Sequence, residues 1–265
     1  MRKQPFQVAP EFRERVWGRK SLEPFFHQTF DQPIGEVWFD CGCPILVKFL
    51  FTSARLSVQV HPDDEYAQRH HASLGKTEAW YVLDSQPPGE VAVGFKAPLT
   101  REELKSAAQS GEIEHLLDWR KVAPGDLIFT PAGTVHAIGA GVTLCEIQEN
   151  SDITYRLYDY GRPRELHLER GAEVSHLGLH EFHPKPVVLA PGRDELVACE
   201  YFRIERLRPP RSIEVKAGSP YDLILISTTG SAWFIPANGE GFTTEGSGEW
   251  LLTYKSETPA AVTIS

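Results

Sequence analysis

A short strand-like segment ends in two side chains that can bind a metal. Residues 56–61 read LSVQVH, and the two-residue period of a β-strand places the leucine and the valines on one face, with Gln59 and His61 on the other. Inside a barrel these two side chains would point to one spot, about 7 Å apart along the strand. An imidazole nitrogen and an amide oxygen are both possible ligands, so the segment is a candidate part of a metal site.

A second histidine follows a tight turn. Residues 125–136 read GDLIFTPAGTVH, in which Gly133 supplies the unusual backbone angles of the turn and His136 begins the next strand. This spacing resembles the second motif of the cupin superfamily, in which a Pro-Gly turn presents a histidine, although Ala140 stands where that motif has asparagine. His136 is therefore a second imidazole candidate for the metal site.

A carboxylate completes the candidate ligand set. Glu78 lies in the strand-like segment GKTEAWYVL at 75–83. Two imidazoles, one carboxylate and one amide oxygen leave coordination positions for water or substrate, as catalytic metal sites do. One carboxylate against a divalent ion also leaves a positive centre that can stabilise an oxyanion. The residues that we expect to hold one divalent metal are Gln59, His61, Glu78 and His136.

Other possible ligands lack partners in the sequence. Cys41 and Cys43 are spaced as C-x-C, which could begin a thiolate metal site, but no second cysteine pair or nearby histidine completes one. The chain has four cysteines, and without an export signal we expect them to be reduced thiols. Isolated histidines are more often surface or core residues than ligands, and we interpret five in this way: His70, His71, His115, His167 and His176.

Short β-strands joined by turns must position these side chains. The 20 prolines and 21 glycines are spread along the chain, as an all-β fold requires. A helical insertion is expected near 100–117, where Thr100 and Glu103 form a possible capping box. The strand-like segments are 44–51, 55–61, 78–83, 90–95, 126–130, 142–149, 201–207, 222–226 and 249–254.

The tail of the chain lacks histidine ligands. A Pro-rich segment at 183–192 reads as a linker or an extended crossover, and no histidine follows His183. Metal chemistry therefore belongs to the first part of the chain. We predict a metal-binding catalytic domain over residues 1–185 and a reduced, metal-free half over residues 186–265.

Composition and charge exclude several classes of partner. The 265 residues carry 27 Lys and Arg against 36 Asp and Glu, a net charge of -9, which disfavours nucleic acid and anionic membranes. A small anionic substrate stays possible, because a few cations in one pocket can outweigh a diffuse charge. The first residues, MRKQPFQVAPEF, lack an apolar leader, and the most apolar run, 44–51, is short and interrupted by Lys48. We expect a cytoplasmic protein that neither crosses nor binds a membrane.

The motifs together resemble those of one enzyme family. The chain is similar to type I phosphomannose isomerases, in particular the short bacterial form, and a glutamine in place of the usual first cupin histidine is itself a mark of that family. Weaker similarity extends to RVWGRKSLEPFF near the start and to ACEYFRIERL at 198–207. The matching segments are QVHPDDEYA at 59–67, GKTEAWYVL at 75–83, PAGTVHAIGAG at 131–141 and EIQENSDITYRLYDYGR at 146–162.

This resemblance implies a fold, a reaction and a set of site residues. The fold would be all-β, a double-stranded β-helix of the cupin or jelly-roll type with two cupin halves. The reaction would be the zinc-dependent interconversion of mannose 6-phosphate and fructose 6-phosphate through a cis-enediolate. By resemblance the zinc ligands are Gln59, His61, Glu78 and His136; the catalytic candidates are Lys76, Glu146, Asp152 and Arg156; and the substrate-binding cations are Lys76, Arg156 and Arg162.

Several alternatives stay open at the level of sequence. The proton could be moved by Glu146, Asp152 or Lys76, and the residue types do not choose among them. The same site could serve an isomerase or epimerase of another sugar phosphate, a non-catalytic sugar-phosphate-binding cupin, or an iron cupin oxygenase, although glutamine and glutamate ligands favour zinc over iron. The chain could act as a monomer or a homodimer.

Overall fold

The computed structural model of this chain describes residues 3–245 and 248–264. Within these ranges the chain forms four sheets, in which every paired strand is antiparallel, and four short helices. The all-β prediction is therefore confirmed. The helices are α1 (Asp64–His71), α2 (Arg101–Ser110), α3 (Ile113–Leu116) and α4 (Leu168–Val174).

Two of the sheets are built from the first part of the chain. The six-stranded sheet runs in the order β2 (Glu11–Leu22), β3 (Phe26–Phe39), β4 (Ile45–Phe51), β11 (Val142–Glu149), β6 (Glu78–Ser85) and β9 (Leu127–Thr130). The five-stranded sheet runs in the order β12 (Tyr155–Tyr158), β5 (Val58–Val60), β10 (His136–Ile138), β7 (Glu90–Phe95) and β8 (Leu117–Lys121).

These two sheets pack face to face around a shared apolar core. Trp80 and Leu144 from the six-stranded sheet lie in one buried cluster with Val91, Val93 and Ile138 from the five-stranded sheet. Alternation along each strand determines which residues reach this interior, because successive side chains point to opposite faces. The result is the cupin-type barrel that the turn motif before His136 predicted.

The last part of the chain, together with one strand from its start, forms the other two sheets. The seven-stranded sheet runs in the order β1 (Phe6–Val8), β18 (Ser231–Ile235), β17 (Leu223–Ser227), β20 (Trp250–Tyr254), β15 (Arg203–Leu207), β14 (Arg193–Ala198) and β13 (Val187–Ala190). The three-stranded sheet runs in the order β19 (Phe242–Glu245), β16 (Ser212–Val215) and β21 (Val262–Ile264). Leu225 and Leu252 of the larger sheet share a core with Ile213 and Val215 of the smaller one.

The outer face of the six-stranded sheet packs against the seven-stranded sheet. Val47 and Phe49 of β4 lie in the same buried cluster as Ile204, Ile224 and Ile226. Strand β4 is buried on both faces. The residues that alternate with Val47 and Phe49 along this strand must therefore point into the first barrel. Strand β1, from the start of the chain, pairs with β18, and the division of the chain into 1–185 and 186–265 stays a prediction.

The helical insertion covers the outside of the five-stranded sheet. Thr100 and Glu103 form the predicted capping box at the start of α2, which satisfies backbone N–H groups that a helix start leaves without partners. Leu104 and Ala108 of α2 are buried against Val58 and Leu157 of the sheet. No helix in residues 3–245 or 248–264 combines the length and apolar character needed to cross a membrane.

Part of the Pro-rich segment at 183–192 forms a strand. Residues Val187–Ala190 form β13, which pairs with β14 at the edge of the seven-stranded sheet. Edge position suits this segment, since the prolines beside it cannot donate backbone hydrogen bonds to a central ladder.

Candidate active site

The polar side of the six-stranded sheet gathers charged residues inside the first barrel. Glu146 of β11 stands opposite Lys48 of β4 on one side and Trp80 of β6 on the other. Gln148, two residues further along β11, stands opposite Glu78. Residues in register on neighbouring strands share a face, so the strand pattern itself brings the acidic and basic side chains together.

The five-stranded sheet contributes the histidines from the facing side. His136, the first residue of β10, stands opposite Gln59 of β5, and His61 follows one residue after β5 ends. Gly133 makes the preceding turn with a φ of +84°, and its N–H donates to the His61 carbonyl over 2.8 Å. The Pro-Gly turn therefore ties the two histidine-bearing segments to each other.

His61, Glu78 and His136 form one compact cluster. Their potential ligand atoms all lie within 4.8 Å of one another. Glu78 Oε1 is 3.3 Å from His136 Nε2, and Glu78 Oε2 is 3.6 Å from His61 Nε2. All three side chains are buried, with at most 1 % of each residue exposed. The structure thus brings together three of the four predicted ligands around one point.

Backbone carbonyls fix both histidines in the tautomer that a metal needs. His61 Nδ1 lies 2.8 Å from the Ile153 carbonyl, and His136 Nδ1 lies 2.8 Å from the Thr134 carbonyl. A carbonyl can only accept, so each Nδ1 carries the proton and each Nε2 presents a lone pair to the cluster. This arrangement is the one that orients metal-bound histidines in proteins.

Burial keeps the two imidazoles neutral. It lowers the pKa of His136 to about 4 and places the pKa of His61 well below its ordinary value, with the nearby Lys76 charge adding to the effect on His61. His61 Nε2 and Glu78 Oε1 have no hydrogen-bond partner among the described residues. Buried polar atoms without partners are costly, and a cation between them would satisfy both, so the donor set fits a divalent metal.

Gln59 adjoins the cluster through its amide. Gln59 Nε2 lies 3.3 Å from His136 Nε2, and Gln59 Oε1 accepts a hydrogen bond from Ser57 Oγ over 3.1 Å. A hydroxyl can donate or accept, so a half-turn of the amide would keep the Ser57 contact and present the oxygen to the cluster instead. The fourth predicted ligand is therefore in place but turned with its nitrogen inward.

A chain of alternating charges continues from the cluster. Lys76 Nζ lies 3.0 Å from Glu78 Oε2 and 3.8 Å from Glu146 Oε1, and Lys48 Nζ lies 3.4 Å from the same Glu146 oxygen. Burial alone would lower the pKa of Lys76, but the Glu146 and Glu78 carboxylates raise it above its ordinary value. Burial raises the pKa of Glu146, and Lys76 and Lys48 oppose that shift. Lys76 therefore stays protonated beside a carboxylate that accepts a proton more readily than an exposed one.

A cavity of about 450 Å³ opens beside this charge chain. Gln59 and Lys76, which contact the cluster, also line the cavity, so the cluster lies directly behind its wall. The volume is within the range of small-molecule sites. Its charged lining residues are Glu14, Arg15, Glu36, Lys48, Lys76, Glu146, Asp152, Arg156 and Arg164.

Of the two arginines predicted to bind substrate, one lies at the cavity and the other does not. Arg156, opposite Gln59 in the register of β12 and β5, lines the cavity, and no carboxylate of the described residues lies within 4.0 Å of its guanidinium. Its Nε atom is buried without a hydrogen-bond partner. Arg162 does not line the cavity; it pairs with Asp159 over 3.1 Å and donates to the Arg55 carbonyl. The structure thus brings Arg156 to the cavity and does not bring Arg162.

Asp152 lies at the rim of the same cavity. Its side chain is 64 % exposed, and its Oδ1 is 3.8 Å from Lys48 Nζ. It shares Lys48 with Glu146, but the two carboxylates differ in environment, because Glu146 is only 6 % exposed. The deeper carboxylate lies next to the metal candidates and the shallower one faces the entrance.

Three cations that line this cavity were not predicted from the sequence: Arg15, Lys48 and Arg164. Lys48 is 2 % exposed and lies over the Trp38 ring at 4.3 Å; in the sequence it was only an interruption of an apolar strand. The sequence does indicate that this lysine has a charged partner, because a lysine in the middle of a strand buried on both faces requires one. Arg164 lines the cavity while its guanidinium contacts both Asp159 oxygens at 2.6 Å.

The two-sheet β-barrel, with a buried His–Glu–His cluster that could hold a metal beside a charged cavity, defines the chain as a cupin-class protein with an enzyme-like site. No protein-family model matches the chain. The chain is 35 % identical to the mannose-6-phosphate isomerase ManA of Bacillus subtilis over 85 % of its length and 86 % of that protein. It is 32 % identical to the probable mannose-6-phosphate isomerase GmuF of the same organism, covering 94 % of the chain and 99 % of that relative.

A solved structure agrees with these relatives. The crystal structure of the mannose 6-phosphate isomerase from Bacillus subtilis superposes with a TM-score of 0.81 at 26 % identity, covering 94 % of this chain and 99 % of that one. The chain belongs to the mannose-6-phosphate isomerase family, type I.

Proposed function

We propose that this chain interconverts mannose 6-phosphate and fructose 6-phosphate, with one zinc ion held by His61, Glu78, His136 and Gln59. The observation that carries the proposal is the buried His–Glu–His cluster, whose two Nε2 lone pairs face one carboxylate next to a charged cavity. When bound, zinc would supply positive charge near the substrate oxygens, where negative charge develops as a C–H proton is removed. Family membership supplies the substrate class.

Glu146 is the best-placed proton acceptor of the three candidates. Lys76 is held protonated by two carboxylates, so it has no lone pair to accept a proton. Asp152 is largely exposed at the rim of the cavity, away from the buried cluster. Glu146 is buried, lines the cavity and has a raised pKa, which is how enzymes make a carboxylate effective as a base. We assign to Glu146 the transfer of the proton between C1 and C2.

Lys48 and Lys76 position this carboxylate and balance its charge. Both ammonium groups lie within 4.0 Å of Glu146 Oε1, so they favour its ionised form. Cations already in place when charge develops need no reorganisation during the reaction. Their side chains also border the cavity, where they can donate hydrogen bonds to hydroxyls and oxyanions of the substrate.

Arg156 is the proposed anchor for the anionic part of the substrate. Burial lowers its pKa, and the neighbouring Arg164 charge adds to this effect, so the two guanidiniums form a positive region beside the cavity. Among the residues that the structure describes, Arg156 makes one guanidinium hydrogen bond, to the Glu165 carbonyl over 2.9 Å. An arginine with free N–H groups is suited to bidentate contact with phosphate or to an oxyanion.

The direct test of substrate choice is turnover by purified, zinc-loaded protein. We expect fructose 6-phosphate to form from mannose 6-phosphate at least tenfold faster than any ketose phosphate forms from glucose 6-phosphate or ribose 5-phosphate. Arg156→Ala should reduce kcat/KM by about 10²-fold or more, as loss of a buried charge contact does, and exposed Arg211→Ala is the matched control. Folded, metal-loaded protein that is inactive on mannose 6-phosphate but active on another sugar phosphate would overturn the substrate assignment.

A further inference from the structure

The C-x-C pair lies in the connection between β3 and β4, outside the cavity. Cys41 Sγ and Cys43 Sγ are 3.1 Å apart, and both are free thiols. Cys41 is partly exposed, whereas Cys43 is buried. A reagent in solution can therefore reach the sulfur of Cys41 but not the sulfur of Cys43, and the two sulfurs are in contact.

The surroundings of the two sulfurs make them chemically unequal. Hydrogen bonding with Cys43 lowers the pKa of Cys41, and the same contact, together with burial, raises the pKa of Cys43. Cys43 Sγ also lies 3.1 Å from the Ile45 carbonyl, which accepts a hydrogen bond from it. Thiolate is the nucleophilic form of cysteine, so Cys41 is the attacking sulfur and Cys43 is the resolving sulfur beside it.

The residue between them allows the loop to adjust. Gly42 is exposed and has a φ of +73°, with no atom within 4 Å of the position that a Cβ would take. Its N–H donates to Asp40 Oδ1 over 2.8 Å. A disulfide requires the sulfurs to approach to about 2.05 Å, a displacement of about 1 Å from their present separation, and a glycine with free space around it offers the least resistance to that movement.

We propose that Cys41 and Cys43 form a reversible dithiol–disulfide site that reacts with low-molecular-weight disulfides such as glutathione disulfide. The Cys41 thiolate attacks one sulfur of the reagent, a protein–glutathione disulfide forms, and one glutathione thiolate leaves. Cys43 then attacks Cys41 Sγ, its proton passes to the second departing glutathione sulfur, and the Cys41–Cys43 disulfide remains. The protein dithiol loses two electrons and the reagent disulfide gains them. This proposal is independent of the isomerase function.

The other cysteines of the chain provide internal controls. Cys145 is fully buried within β11, and burial raises its pKa. Burial also raises the pKa of Cys199, whose Sγ lies 3.3 Å from the Phe202 carbonyl. Neither thiol has the lowered pKa that favours reaction. Fast reaction should therefore be confined to Cys41.

The test is mass spectrometry of the intact, folded protein after exposure to glutathione disulfide at neutral pH. The wild-type chain should lose two hydrogens, at Cys41 and Cys43, and retain no glutathione. Cys43→Ser should instead accumulate one glutathione on Cys41, because the resolving sulfur is absent. Cys41→Ser should react at least tenfold more slowly than either, and reduction with a dithiol should restore the starting mass.

Two results would overturn the proposal. One is a stable glutathione adduct on the wild-type chain, which would show that Cys43 does not resolve it. The other is a Cys41→Ser variant that reacts as fast as the wild type, which would show that Cys41 is not the attacking thiol. Thermal unfolding of each variant before the reaction shows that the folded protein is being measured.

Discussion

Lys48 and Glu146 stand opposite each other on β4 and β11, with Nζ 3.4 Å from Oε1 and both side chains almost excluded from water. A buried carboxylate of this kind is charged only because cations face it. Lys48 therefore controls the protonation state of the group to which we assign proton transfer. It acts through Glu146 and is a positioning residue that also borders the cavity.

Replacing Lys48 should change the pH dependence of turnover. Lys48 lowers the pKa of Glu146, so Lys48→Met should raise it, and the ionised base would then be reached only at higher pH. We expect the rising limb of the kcat against pH profile to move to higher pH, and kcat at a pH on that limb should fall by about tenfold if the limb moves by about one pH unit. Exposed Lys216→Met is the matched control, and an unmoved limb in a folded Lys48→Met variant would contradict the assignment.

Substituting the two cavity carboxylates separately should identify the base. Glu146→Gln keeps the shape but cannot accept the proton, so kcat should fall by about 10²–10⁴-fold while bound metal is retained. Asp152→Asn, at the exposed rim, should lower kcat less than tenfold. Solvent deuterium incorporation at C2 of the substrate is the measurement. The opposite order of the two variants would transfer the role to Asp152.

The turn before His136 should tolerate no side chain at Gly133. Its φ is +84°, and an added Cβ would meet the His176 ring at 2.9 Å, so Gly133→Ala combines backbone strain with a clash. We expect the free energy of unfolding to fall by about 1–3 kcal/mol and metal affinity to weaken with it. Gly178→Ala, where no atom lies within 4 Å of the added Cβ, is the control in chemical denaturation, and equal losses in both variants would show that neither strain nor the clash matters.

Glu149 should make the stability of the fold depend on pH. Its carboxylate accepts from the Thr77 N–H over 2.7 Å, and burial raises its pKa to about 7 from an ordinary value of 4.5. A carboxyl whose pKa is higher in the folded than in the unfolded state contributes fully to stability below its unfolded-state pKa. This contribution is lost as the pH rises through its folded-state pKa. Between pH 4.5 and 7 the wild type should lose stability relative to Glu149→Gln.

Urea unfolding at several pH values measures this difference. The gap between the two proteins should change across that window and level off above about pH 7. A gap that is the same at every pH would show that Glu149 titrates normally. Asp64, which also raises the Glu149 pKa, is present in both proteins.

Features that are determined by residues close together in the sequence could be predicted from it. The alternation of LSVQVH placed Gln59 and His61 on one face, and the Thr100–Glu103 capping box begins α2 as expected. The turn at Gly133 could be predicted because a left-handed backbone angle favours glycine at that position. Each of these inferences uses a short run of consecutive residues.

Features that depend on cross-strand register could not be predicted in the same way. Lys48 reaches the site only because β4 pairs with β11 in a register that places it opposite Glu146. Arg162 turns away because Tyr160 and Gly161 both adopt positive φ angles after β12 ends, which redirects the chain towards Asp159. Pairing of β1 with β18 likewise joins segments from opposite ends of the chain, a contact for which neither strand carries a local signal.

Metal bound at the His61, Glu78 and His136 cluster is the central requirement of the proposed reaction. The decisive measurement is turnover of mannose 6-phosphate by protein stripped with a chelator, before and after addition of one equivalent of zinc, with His136→Ala treated in the same way. We predict that stripped protein is folded and inactive, that one equivalent restores activity to the wild type, and that the variant is not restored. Full turnover by metal-free protein, verified by elemental analysis, would contradict the proposed role of the cluster.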